Sequence, residues 1–380
     1  MHTAFKPLNR RLFLKGATLL AMPFGIPSVA LPEEEITRNL SSKLGQLLIT
    51  GFRGTHPTDP EVERLRRYIE NGDVAGVILL ERNIVNPEQL STLISSLQAS
   101  SPKTPIIVAV DQEGGEVVRL RPNRGFLPWQ SAASMSQIGL DDIDIYGYYL
   151  ERAEELAALG INLNLAPVVD LNVNAFNPII GLKGRSYGRD VQHVIRFAEL
   201  FIKAHRLAGV KTCLKHFPGH GSSIDDSHIG SADVTKTWQT KEIAPFERLA
   251  RASLADSIMN AHILHKYLSD EPWIPTSLSS TCVREIRDGL TFYGPVITDD
   301  MQMGAVTDLM SAVAASVPAV RAGNSLLIYS NFFDHYSIDT VDEVRNSLHA
   351  AIEDGSLSTK IVSYSTFVVE TFRASLINHL

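Results

Sequence analysis

Val210-Lys211-Thr212-Cys213-Leu214-Lys215-His216-Phe217-Pro218-Gly219-His220-Gly221 decides how this chain is read. Val210 to Leu214 has strand character. Pro218, Gly219 and Gly221 forbid helix directly after it and favour turns. Lys215 and His216 therefore stand where a strand gives way to a loop. Asp226-Ser227-His228 follows on that loop. An Asp two residues before a His can accept the ring N–H, fix the tautomer and raise the basicity of the other nitrogen. Taken alone, the stretch is a solvated His-rich loop, a metal site or part of an active site.

Working outward, short apolar runs of the same kind recur at Gln46–Phe52, Val74–Leu80, Pro105–Val110, Ile161–Val169, Ser257–Ala261, Pro295–Ile297 and Ser325–Tyr329. A helix-prone lead runs from Glu33 to Leu44. Amphipathic segments separate the runs, among them Pro60–Asn71, Pro87–Ala99, Tyr146–Leu159 and Val191–Leu207. Alternation of strand and helix predicts parallel βαβ units. Eight repeats predict an α/β fold of the (β/α)8 barrel type, as a single catalytic domain over residues 31–380. A doubly wound open sheet is the alternative. No Gly-x-Gly-x-x-Gly follows the first strand, so no dinucleotide fingerprint supports it.

The polar residues then fall into a pattern. Asp111 follows the third run, Asp170 the fourth, Lys215 and His216 the fifth, His262 the sixth, and Asp299-Asp300 the seventh. In a barrel these strand ends share the face that carries chemistry. An Asp after a strand also serves as a helix N-cap. That accounts for one or two of these positions, and poorly for ionisable groups at the same end of several strands.

Composition limits the function classes. The 380 residues are 44% hydrophobic and 20% charged, ordinary for a globular chain with a large core. Formal net charge is -7. Lys6, Arg10, Arg11 and Lys15 are unopposed by any acid in the first thirty residues, so the body is more acidic still. This argues against nucleic acid and against adsorption to an anionic membrane. Cys213 and Cys282 form no framework, and Cys213 reads as a buried free thiol. A disulfide between the two has no support in the sequence.

Asn9-Arg10-Arg11-Leu12-Phe13-Leu14-Lys15 closely resembles a twin-arginine export signal. An apolar run from Gly16 to Ile26 and the small-x-small site Ser28-Val29-Ala30 follow. Residues 1–30 are expected to direct export, leaving a periplasmic or secreted protein with no stable membrane insertion after cleavage. The alternative, an uncleaved signal anchor, is weakened by Pro23, Gly25 and Pro27 within a short run. The sequence does not set the oligomeric state; a monomer is the expectation.

Phosphate cradles and the Gly-x-Ser-x-Gly nucleophile elbow are absent. What the rim offers is Asp carboxylates, Lys215, Arg119, Arg185 and an Asp–His pair. A carboxylate nucleophile facing a proton donor is the layout for retaining glycoside hydrolysis. The donor is usually a carboxylic acid; here a mobile-looking loop would bring His228, held by Asp226. The rival is a metal-dependent barrel hydrolase using His216, His220 and His228. Pro218 and Gly219 oppose a helical presentation of His216 and His220, and His-Glu-x-x-His is absent. A non-catalytic sugar-binding barrel is a third class. No cofactor and no metal are expected.

The motifs in register resemble a known family. Lys215 to Gly221 with Asp226-Ser227-His228 is similar to the β-N-acetylglucosaminidase branch of glycoside hydrolase family 3. Asp111-Gln112-Glu113-Gly114-Gly115 with Arg119 resembles its third-strand motif, and Ile297-Thr298-Asp299-Asp300-Met301-Gln302-Met303 its nucleophile motif. Arg185-Ser186-Tyr187-Gly188 and Met259-Asn260-Ala261-His262 match in kind.

The resemblance implies a (β/α)8 barrel that removes terminal N-acetyl-β-D-glucosamine with retention, from muropeptide fragments or chitooligosaccharides. Asp299 would be the nucleophile, His228 the acid/base and Asp226 its partner. Asp111, Arg119, Arg185, Lys215 and His216 would hold the sugar. Phosphorolysis on the same site is the runner-up. Several positions depart from the pattern. Leu182-Lys183-Gly184 lengthens the turn before Arg185, Gly230-Ser231 replaces Leu-Pro, and Asn324-Ser325 replaces Asn-Asp. Pro318 is expected to kink or end its helix. Asp300 is expected at the start of the helix after the seventh strand, in a supporting role.

Overall fold

The computed structural model describes residues 43–332 and 337–376. The export signal expected over residues 1–30 lies outside them. So does the helix-prone lead, except for its end at Lys43 and Leu44, where a short turn, Leu44–Leu47, opens.

Among the described residues, eight strands close a parallel barrel: β1 (Leu48–Thr50), β2 (Gly76–Leu79), β3 (Ile107–Val110), β4 (Leu163–Asn164), β5 (Lys211–Phe217), β6 (Ser257–Asn260), β7 (Val296–Asp300) and β8 (Leu326–Tyr329). Neighbours in sequence are neighbours in the barrel, and β8 returns to pair with β1. The fold is therefore the (β/α)8 barrel, and the open sheet is excluded.

Every strand contributes to the cluster inside the barrel, with Ile49, Ile78, Ala109, Leu163, Cys213, Met259, Ile297 and Ile328 among its members. The alternate positions, such as Val77, Val108, Leu214, Ile258 and Leu327, belong to the larger cluster shared with the helices. This is strand periodicity with both faces buried, as an all-parallel sheet requires. Cys213 and Cys282 are buried free thiols.

The helices form where local signals are strongest. Pro60–Asn71 and Pro87–Ala99 each begin with a proline, and Asn86 caps the second by accepting the Gln89 N–H. Val191–Leu207 has the expected bounds. The helix expected from Tyr146 begins earlier, at Asp142, because Asp141 accepts the Asp144 N–H as its cap. Pro318 neither kinks nor ends its helix. It sits in the first turn of Ser316–Ala322, where a missing N–H costs no hydrogen bond.

The last helix, Thr359–Ala374, closes the N-terminal end of the barrel. Val369, Phe372 and Leu376 join the interior cluster. Arg373 donates to the carbonyls of Thr104 and Pro105, just ahead of β3, and to the Gln46 side chain ahead of β1. With that end plugged, the open end is the one where the strands' C-termini meet.

Candidate active site

Two register shifts put chemistry at that open end. From Leu214 to Phe217, β5 uses three steps where β6 uses two from Ile258 to Asn260. From Ile297 to Asp300, β7 again uses three steps where β8 uses two from Leu326 to Ile328. An extra residue interrupts the alternation of side chains. Adjacent residues can then share one face. Lys215 and His216 both line the cleft, and so do Asp299 and Asp300. The cleft has a volume of about 310 Å³ and an apolar floor that includes Ile78, Leu165, Met259 and Ile328.

Lys215 is the centre of the cleft's polar wall. It is 2% exposed, and its ammonium lies 2.8 Å from Asp111 and 2.6 Å from Glu113. Arg185 grips Glu113 with two parallel bonds of 2.8 Å. Burial would push the Asp111 and Glu113 carboxyls up. For Asp111 the charges of Lys215 and Arg119 outweigh burial; for Glu113 those of Arg185 and Lys215 do, so both stay below the usual carboxylate range. Burial would lower the Lys215 pKa, and the two carboxylates raise it instead.

Arg119 stands at the edge of this group, 3.4 Å from Asp111, with a buried Nε that has no partner. Gln112 holds it there: its buried side chain accepts the N–H groups of Arg119 and Leu120. The longer turn at 182–184 does not keep Arg185 away. It lines the cleft, but its guanidinium is engaged by Glu113, by the Ile179 carbonyl and by His216.

Behind this wall, Asp170 is fully buried and receives three N–H groups from two residues of the β5 end and its loop. The N–H of His216, the N–H of His220 and the His216 Nδ1–H all point at its carboxylate. That bond leaves His216 Nε2 to accept from Arg185 at 3.2 Å. His262 takes no place in the cleft lining. Its ring spans Ser277 and the Asp300 carbonyl, bracing the end of β7 from behind.

Asp226 and His228 meet as the sequence predicts. One carboxylate oxygen of Asp226 accepts both the His228 N–H at 2.9 Å and the ring Nδ1–H at 2.7 Å. His228 lines the cleft and is 44% exposed. The loop that carries it is tethered at several points. His220 Nε2 bonds the Ser227 hydroxyl at 3.0 Å. The carbonyls of Ser227 and His228 accept the N–H groups of Ala305 and Gly304, at the start of the short helix Gly304–Thr307. The strand pair Ala232–Asp233 and Ile263–Leu264 holds the segment that follows.

Asp299 and Asp300 are driven apart by their surroundings. Burial would raise Asp299, but His216, His262 and His228, with the Asp300 N–H, hold it at about 2. Burial dominates at Asp300 and pushes it up to about 6. Asp300 is not at a helix start: β7 continues through it and the next helix begins at Gly304. Its carboxyl instead accepts from the Gln302 N–H and from the Ser330 hydroxyl at the end of β8. Register between strands governs this placement, and local sequence carries no sign of it.

The sequence reading therefore has its eight named site residues around one cleft, with Asp226 reaching it through His228. It gave no role to Glu113 and Lys183, which line the cleft; it named Asp300 as a supporting residue but at a helix start, and it named Asp170 and His262 at strand ends without seeing them as braces. The signal for Glu113 was its place two residues after Asp111, at a strand end. Among the described residues, no group of three His, Cys, Asp or Glu side chains is placed to hold a metal ion. His216 Nε2 faces the Arg185 cation, which would oppose one.

Two predictions follow from the loop's supports. A Cβ on Gly304 would stand 2.3 Å from the Ile229 carbonyl oxygen, so Gly304→Ala must displace the His228 segment. We expect turnover to fall at least tenfold with little change in thermal stability. Unchanged turnover would show that the tether does not position His228. Glu242 is buried against the Gly219 turn, and burial pushes its carboxyl up to about 7. The folded chain then holds this proton more tightly than the unfolded chain, so stability falls as pH rises from about 4.5 to about 7. Glu242→Gln should melt like wild type near pH 5 and above it near pH 8; parallel melting curves at both would refute this.

Comparison with known proteins supports the same grouping. The model of the glycosyl hydrolase family 3 N terminal domain matches residues 39–369. A beta-hexosaminidase of Haemophilus influenzae is 32% identical over 291 residues, covering 75% of this chain and 79% of that protein. Beta-hexosaminidase A of Pseudoalteromonas piscicida is 29% identical over 338 residues, covering 83% of this chain and 55% of that one. The solved glycoside hydrolase family 3 beta-N-acetylglucosaminidase of Paenibacillus sp. superimposes with a TM-score of 0.79 at 32% identity, covering 88% of this chain and 63% of that one. The chain thus spans between about half and four fifths of the length of these three relatives. With the family model matched over most of its length and the barrel closed around one charged cleft, the chain belongs to glycosyl hydrolase family 3 and is a glycoside hydrolase.

Proposed function

We propose that this chain is a retaining exo-β-N-acetylglucosaminidase that releases terminal N-acetyl-β-D-glucosamine from peptidoglycan fragments or chitooligosaccharides. One observation carries the proposal. A carboxylate held at about 2, Asp299, and a histidine clamped on a carboxylate, His228 on Asp226, line the same cleft. The names of the relatives supply the sugar.

In this reading Asp299 attacks the anomeric carbon as its bond to the leaving oxygen breaks. His228, protonated, gives its Nε2 proton to that oxygen. The glycosyl ester on Asp299 is then cleaved by water. His228 takes the water's proton, the new C–O bond forms, and the Asp299 carboxylate leaves. Asp226 keeps Nδ1 protonated in both steps, so the exchanged proton is always on Nε2. Asp111, Lys215, His216 and Arg119 face the sugar. Arg185 contributes mainly by fixing Glu113 and His216, since its donors are already engaged.

A fluorinated N-acetylglucosaminide that stalls after the first step should label Asp299 covalently. Asp299→Ala should lose far more than tenfold in turnover (about 1.4 kcal/mol of barrier). An ester mapped to Asp300, or a nearly active Asp299→Ala enzyme, would refute the assignment. His228→Ala should slow substrates with poor leaving groups severely and activated aryl glycosides much less. Equal losses on both would make His228 a positioning residue.

A further inference from the structure

A chain of hydrogen bonds runs from a helix outside the barrel to the wall of the cleft. It starts at His205 on Val191–Leu207, whose ring stacks on Phe201 with 3.9 Å between centroids and lies beside Trp129. His205 Nδ1 is 2.9 Å from the Phe201 carbonyl oxygen. A carbonyl only accepts, so Nδ1 carries the hydrogen and the neutral ring presents Nε2 as an acceptor. Burial lowers the ring's pKa to about 3, which keeps it uncharged across the working pH range. Asn164, at the end of β4, donates its amide to that Nε2 at 3.2 Å and to the Gln112 carbonyl at 3.0 Å. The Asn164 oxygen accepts the Gln112 N–H at 3.1 Å. The Gln112 side chain then donates to the Leu120 carbonyl at 3.1 Å, and accepts the N–H groups of Arg119 at 2.8 Å and Leu120 at 3.1 Å.

His205, Asn164 and Gln112 are all fully buried, where an unpaired donor or acceptor is costly. Reversing the Asn164 amide would set donor against donor at the Gln112 N–H, and oxygen against both the Gln112 carbonyl and His205 Nε2. The chain therefore has one arrangement. Among the cations that pair with the carboxylates of the wall, Arg119 depends on it most. Lys215 and Arg185 are fixed by their own short ion pairs. The Arg119 guanidinium is 3.4 Å from Asp111 and its Nε has no partner, so the placement of its backbone decides where it points. That backbone returns to Gln112 through the bridge between Gly114 and Val117, and Gln112 closes the turn.

Resting on the reading that Arg119 faces the sugar, we infer that His205 is a positioning residue of the active site: through Asn164 and Gln112 it sets Arg119 against the terminal sugar.

The test is steady-state hydrolysis of an aryl N-acetyl-β-glucosaminide. His205→Phe keeps an aromatic ring on Phe201 but offers Asn164 no acceptor. Its KM should rise about fivefold or more with kcat within about twofold of wild type, the signature of lost ground-state binding. Gln112→Met, at the cleft end of the chain, should raise KM as well. His205→Gln, whose amide oxygen can accept from Asn164, should keep KM within about twofold of wild type. Misfolding lowers the concentration of active enzyme and leaves KM alone, so it does not imitate these results. In an Arg119→Met background, His205→Phe should have no further effect on KM, because the residue it acts through is gone. A wild-type KM in both His205→Phe and Gln112→Met, or a rise that persists in the Arg119→Met background, would overturn the inference. No hydrolysis by wild type would instead remove the proposed function, and this inference with it.

Discussion

Lys215 held between Asp111 and Glu113, with Arg185 closing on Glu113, is the interaction on which the site depends. These groups are buried or nearly so, and a buried charge is tolerated only when it is paired. The pairing ties the end of β3 to the end of β5 and to the turn after β4. It thereby fixes the wall of the cleft in three separated parts of the chain. Losing one partner leaves an uncompensated charge in the wall, typically costing about 3–5 kcal/mol. His216 inherits its place from the same arrangement. The register shift that lets Lys215 face the cleft also turns the next residue toward it, where Asp170 and Arg185 set the roles of its two nitrogens.

The same logic of separated charge governs the reacting groups. Adjacent carboxyls would ordinarily titrate together. Here Asp299 is surrounded by histidines and a backbone N–H, while Asp300 is buried on Ser330. One is an ionised base across the working range and the other retains its proton up to about 6. At the other reacting group, Asp226 takes both the backbone and ring N–H of His228 on a single oxygen. A side chain 44% exposed thus has a defined orientation without being buried.

Much of this was legible in the sequence, and the remainder was not for physical reasons. Helices with a proline at the first position or a capping Asn had their bounds written locally, as at Pro60–Asn71 and Pro87–Ala99. Each strand was visible as an apolar run, since a parallel barrel buries both faces. The far ends of β5 and β7 were not visible, because Lys215, His216, Asp299 and Asp300 are polar and join strands only through their neighbours' hydrogen bonds. Pro167 carries no N–H, so the long fourth run shrinks to Leu163–Asn164 with an isolated bridge at Val168. The tethers of the loop bearing His228, at Gly304 and Ala305, were not legible because they lie far along the chain. Glu113 gains its importance from Arg185, which no local pattern links to it.

The central claim is that Asp299 and His228 act from opposite sides of one sugar, with an ester between the two steps. Two successive displacements at the anomeric carbon preserve its configuration, whereas a single displacement by water inverts it. Proton NMR of a β-N-acetylglucosaminide, followed from the first minutes of hydrolysis, reads this directly. The account predicts that the β-anomer of N-acetylglucosamine forms first and only later equilibrates with the α-anomer. First appearance of the α-anomer would contradict it.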